Sequence, residues 1–86
     1  MPRIAHFYGV DIYMYYNDHA PPHFHAFYGD DEALVEWSPT QLYAGSLPSK
    51  VLKRVLDWAG LHPDELDDDW QRARTGQPLV QIDPLP

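Results

Sequence analysis

The apolar residues of this chain change their spacing once, near Pro48, and that change constrains what the chain can fold into. Before it, β-branched and aromatic residues come in short runs, Ile4 to Tyr8, Asp11 to Tyr16, His23 to Tyr28 and Glu32 to Trp37, the pattern of strands that cover one face. After it, Val51, Leu52, Val55, Leu56 and Ala59 recur at helical spacing with Lys50, Lys53, Arg54 and Asp57 off the stripe. This predicts an amphipathic helix from about Pro48 to Ala59, ended by Gly60. A second helix at about 63–75 has a legible start: Pro63 suits the first helical position, Asp64 and Glu65 suit its positive end, and Leu61 and Leu66 stand at staple spacing. Leu66, Trp70 and Ala73 make its inner stripe and Gly76 stops it. Residues 77–86, with three prolines, form a tail that either lies along the sheet or is disordered.

The breaks between the strand-like runs supply the turns. Gly9-Val10 suggests a hairpin, Asn17 to Pro22 a loop, Gly29-Asp30-Asp31 a turn, and Ser38-Pro39-Thr40 another, with a short fifth strand around Gln41 to Ala44. The expected architecture is α+β: an antiparallel sheet of four or five strands over residues 3–45, then two helices packed on one of its faces. A hairpin closed by Gly29 to Glu32 sets Tyr28 across from Ala33, Ala26 from Val35 and Phe24 from Trp37. Those six residues are then the core face. His23, His25, Glu36 and Ser38 share the other face, with His25 directly opposite Glu36.

With 86 residues, the chain is expected to form one domain, residues 1–86, burying about 60 to 65% of its unfolded surface. Its apolar fraction of 44% suffices for a core, and no run approaches the roughly 20 apolar residues of a membrane span. Strand-like sequence begins at Met1-Pro2-Arg3-Ile4 with no apolar leader, so the expected location is the cytoplasm. The absence of cysteine removes disulfides, thiolate metal sites and a cysteine nucleophile. The net charge of −7, with one base against six acids in residues 1–47, argues against direct nucleic-acid binding by the chain alone. No glycine-rich phosphate loop is present, and Gly45-Ser46-Leu47 lacks the second glycine of a nucleophile turn. Asp67, Asp68 and Asp69 point about 100° apart on a helix and cannot all hold one ion.

The chemistry is concentrated at Pro21-Pro22-His23-Phe24-His25-Ala26, where His19, His23 and His25 fall within seven positions. Two imidazoles and the Glu36 carboxylate converge in the expected register, His23 lying about 7 Å along the strand from His25. If the loop folds over that face, His19 or Asp18 completes a set of nitrogen and oxygen ligands suited to zinc, manganese or non-haem iron. The alternative is a polar sheet face on which His25 and Glu36 make an ordinary cross-strand contact. His6 is expected on the core side of its strand, and His62 as a helix cap.

Met1-Pro2-Arg3-Ile4-Ala5 with Phe7-Tyr8-Gly9, Asn17-Asp18-His19-x-Pro21-Pro22-His23-Phe24-His25, Tyr28-Gly29, Gly45-Ser46-Leu47-Pro48, Trp58-Ala59-x-Leu61-His62 and Asp69-Trp70 together resemble the bacterial domain of unknown function 4160 (DUF4160) family. The resemblance covers nearly the whole chain, and its most specific part is the histidine-rich loop and strand. It implies a short cytoplasmic protein, encoded beside or fused to a small domain of the DUF2442 type in pairs that look like toxin and antitoxin. It implies no settled activity. Two functional expectations follow. One is a non-enzymatic binding module that meets the neighbouring DUF2442-type protein, or a second copy of itself, through aromatic strands or a sheet edge. The other is a metal-dependent hydrolase or nuclease built on His19, His23 and His25, with Glu36 or Asp18 as further ligand or base.

Overall fold

The computed structural model describes residues 2–86. Five strands, β1 (Arg3–Phe7), β2 (Val10–Tyr13), β3 (Phe24–Tyr28), β4 (Asp31–Trp37) and β5 (Thr40–Gly45), precede two helices, α1 (Ser49–Leu61) and α2 (Pro63–Arg74). The strands form one sheet in the order β1-β2-β3-β4-β5, each antiparallel to its neighbours. The fold is therefore the expected α+β one, with the fifth strand present.

The first two hairpins differ from what the turn residues suggested, one in position and one in length. In the first, Phe7 faces Val10, so the turn is Tyr8-Gly9 rather than Gly9-Val10. Tyr8 (φ 48) and Gly9 (φ 77) both adopt the left-handed conformation that a two-residue hairpin turn matching strand twist requires. This one-residue move sends His6 outward: it faces Asp11 and is exposed, not on the core side. In the second hairpin Tyr28 faces Asp31 and Phe24 faces Val35, with only Gly29-Asp30 between the strands. The register is two residues tighter than expected. Because strand side chains alternate with period two, that shift keeps each residue on its face. Phe24, Ala26, Ala33, Val35 and Trp37 are all buried, as expected, while Tyr28 beside the turn is exposed. What changes is the pairing across the strands, and Glu36 slides away from His25.

The helices cover the Phe24, Val35 and Trp37 face. Trp58 on α1 sets its ring 5.3 Å from Phe7 and 5.5 Å from Phe24, and Trp70 on α2 lies 6.3 Å from Trp37. Buried indoles need a partner for their N–H. Trp37 Nε1 donates to Asp67 Oδ1 at 2.7 Å and Trp58 Nε1 to the Asp83 carbonyl at 2.8 Å. α1 continues through Gly60 to Leu61, which is 59% exposed and so forms no staple with Leu66. His62 links the helices through its backbone, its N–H donating to the Ala59 carbonyl and its carbonyl accepting from Leu66. Its side chain makes no cap; instead Nδ1 lies 2.6 Å from Glu65 Oε1.

The tail after α2 lies along β1. The Ile82 N–H donates to the Ile4 carbonyl at 2.8 Å, and the Ile82 side chain is buried. Asp69, fully buried, ties the tail to α2: its Oδ1 accepts from Arg72 Nη1 and from the Val80 N–H, each at 2.9 Å.

Two outcomes are expected. Trp70→Ala should cost about 3 to 5 kcal/mol in chemical denaturation; a loss below about 1 kcal/mol would mean that α2 packs loosely. The second concerns Asp11, which accepts hydrogen bonds from His6 (2.7 Å) and Arg3 (3.1 Å). Burial pushes its carboxyl up, but those hydrogen bonds and charges prevail and hold it below the ordinary value of 3.8. A depressed carboxylate stabilises the fold above that value and loses its contribution as pH falls below it. Stability measured down an acid series should thus drop less steeply below about pH 4 in Asp11→Asn than in the unsubstituted chain.

Candidate metal centre

The loop from Asn17 to Pro22 leads into β3, and the two together bring three ligating side chains to one point. β3 alternates strictly: Phe24 and Ala26 are buried in the core, so His25 points to the opposite face, across from Tyr13 on β2 and Leu34 on β4. His23 stands just before the strand and is itself buried, its ring 5.2 Å from that of His25 and 5.8 Å from those of Tyr43 and Trp70. The loop carries Asp18 back over this face. Asp18 Oδ2 lies 3.0 Å from His25 Nε2 and 3.3 Å from His23 Nε2. One ligand atom from each of Asp18, His23 and His25 lies within 4.8 Å of the others.

The other nitrogen of each ring is already engaged. His23 Nδ1 is 2.8 Å from the Pro21 carbonyl, and His25 Nδ1 is 2.8 Å from Glu32 Oε2. Carbonyl and ionised carboxylate oxygens only accept. A neutral imidazole has one N–H, yet each ring here faces two acceptors. With Nδ1 donating, both Nε2 lone pairs are turned toward the Asp18 carboxylate, and the arrangement calls for positive charge among the three atoms. A cation among the three atoms would supply it.

The surroundings are negative and aromatic. Tyr15 packs edge-on against His25 with ring centres 4.7 Å apart. Its phenol is pushed above the ordinary 10.0 by burial first, then by the charge of Glu32, by Tyr13 and by Asp18. Tyr13 and Phe27 extend the same face, their rings 5.5 Å apart.

Of the residues expected at a site, His23, His25 and Asp18 come together, whereas His19 is exposed on the loop and outside the group. Glu36 is also outside it. It faces Gln41 on β5, whose Nε2 donates to Glu36 Oε1 at 2.9 Å. The tighter hairpin is the reason: it sets Leu34 across from His25 and brings Glu32 within reach of the ring instead. The signal for Glu32 was present in Gly29-Asp30, a dipeptide suited to a two-residue turn. The Pro21 carbonyl, which accepts from His23, has no signature in sequence. The helical acids do not gather: Asp67 accepts from Trp37, Asp69 holds Arg72 and the tail, and Asp68 is exposed.

Among the described residues no helix is long and apolar enough to cross a membrane. No curated protein and no solved structure matches the chain. The model of the family described as Domain of unknown function (DUF4160) matches residues 9–71, and with most of its length inside that match the chain belongs to this family.

Proposed function

We propose that this chain is a small cytoplasmic binding module that holds a divalent transition metal through His23 Nε2, His25 Nε2 and Asp18 Oδ2. The observation that carries the reading is the pair of Nε2 atoms aimed at one carboxylate oxygen while each Nδ1 is held by an acceptor. Metal-bound histidines characteristically donate their second N–H to a carbonyl or carboxylate, which fixes the ring and raises its basicity. Ligand atoms about 2.0 to 2.1 Å from a tetrahedral zinc stand about 3.3 Å apart; the Asp18 separations of 3.0 and 3.3 Å suit that spacing, and all three atoms lie within 4.8 Å of one another. The donor set of two nitrogens and one oxygen fits zinc, ferrous iron or manganese. Bound metal would pin the Asn17 to Pro22 loop to β3 and so shape the neighbouring aromatic face. The partner of such a module is a protein, either the neighbouring DUF2442-type protein or a second copy; the net charge of −7 speaks against nucleic acid.

A second reading, a metal-dependent hydrolase or nuclease, is favoured by one specific feature. The group has three donors, and catalytic metal sites with three protein ligands keep a position for an activated water.

Calorimetric titration of tag-free protein with zinc, manganese and ferrous iron tests the proposal. Saturable micromolar binding is expected near neutral pH, weakening on acidification as protons compete for the ring lone pairs. His23→Ala with His25→Ala should abolish it. At a metal concentration of about 100 times Kd the unsubstituted protein should gain about 2.7 kcal/mol of stability that the double variant does not. Glu32→Gln, which leaves the ligands intact, should weaken binding roughly tenfold or more. Absence of saturable binding would end the metal reading. Hydrolysis of phosphodiester or ester substrates by the metal-loaded protein, lost in Asp18→Ala, would select the second reading.

A further inference from the structure

The two edges of the sheet are treated differently. Along β1 the tail supplies a cover: the Ile82 N–H reaches the Ile4 carbonyl, Gln81 Nε2 donates to the Arg3 carbonyl, and Tyr8 Oη donates to the Pro86 carbonyl at 3.0 Å. Among the described residues β5, at the other edge, is paired only with β4. All six of its residues are exposed, and Leu42 and Tyr43 are large apolar ones.

Open edges are commonly guarded by charge, by proline or by an inward-pointing lysine. Thr40–Gly45 has none of these; its one irregularity is a bulge at Tyr43 in the pairing with β4, and the whole segment from Trp37 to Ser49 carries no charged side chain. That is unusual in a chain with 13 acids and 6 bases. Two copies with net charge −7 each repel one another over most of their surfaces, and approach is least opposed where the acids are missing. A partner chosen for positive charge would find little on β5 to hold it. Two identical antiparallel edges, in contrast, satisfy each other's backbone groups about a two-fold axis, since such an interface uses the same patch on both subunits.

We propose that β5 pairs antiparallel with β5 of a second copy of this chain, joining two five-stranded sheets into one continuous sheet across a two-fold axis. The pairing does not rest on the metal reading and forms in metal-free protein.

Sedimentation velocity over a concentration series in chelator-treated protein is the test, with Leu42→Lys as the disrupting variant and a thermal melt to show that the variant folds. A concentration-dependent dimer is expected, with a dissociation constant raised roughly tenfold or more by the introduced like charges. Because the chain has no cysteine, single replacements Thr40→Cys, Leu42→Cys and Ala44→Cys provide a second measurement. At least one should give a disulfide-linked dimer under mild oxidation, and Val80→Cys on the tail should not. A strictly monomeric protein at high micromolar concentration, a dimer indifferent to Leu42→Lys, or cross-linking only through Val80→Cys would each overturn the proposal. So would a monomer whose β5 is occupied only by the strand of a different protein.

Discussion

Phe24 joins the two halves of the molecule. Its fully buried ring meets Trp58 edge-on at 5.5 Å and stacks near Trp37 at 6.2 Å, so the first residue of β3 is clamped between α1 and β4. A buried aromatic of this size is among the largest single contributions to a small core. Its placement also decides the orientation of its neighbours. With Phe24 pointing inward, the pleat obliges His25 to point outward, and His23 is left at the strand entrance where the loop can bring Asp18 to it. Core and site are thus two sides of one strand, and neither register can slip without moving both.

The site shows why a cluster of polar groups on the far side of a sheet is not merely solvated surface. His23 is nearly as enclosed as the core residues, flanked by Tyr43, Trp70 and His25. Desolvation of that kind is costly for a polar ring unless each nitrogen has a partner. Among the described residues the partners of the ring nitrogens are all acceptors, a carbonyl and two carboxylates. Excess acceptor capacity is the chemical character of the place, and it favours a cation over any anionic or neutral ligand.

Much of the fold could be read from the sequence because each signal had a single physical cause. The alternation of Phe24, Ala26, Val35 and Trp37 dictated a face, and the stripe of Val51, Val55 and Ala59 dictated another. Proline and acids at the start of α2 marked a helix end that the structure keeps. Turn length was harder to read, since a run such as Gly29-Asp30-Asp31-Glu32 supports a two-residue or a four-residue loop equally well until the strands are paired. Faces survive a two-residue error, whereas partners do not, which is why His23 and His25 were legible as neighbours on one side and Glu32 was mistaken for Glu36. The role of the Pro21 carbonyl was invisible for a different reason: every residue has one, and only the path of the loop selects it.

The tail bears on how the molecule is assembled. Its contacts with β1 join residues 78 apart in the chain, among the longest separations the fold contains, and such contacts form late because their loop entropy must be met first. Without the tail, β1 would present a bare edge as β5 does. Protection of the β1 edge depends on residues that lie far along the chain from the strand they cover.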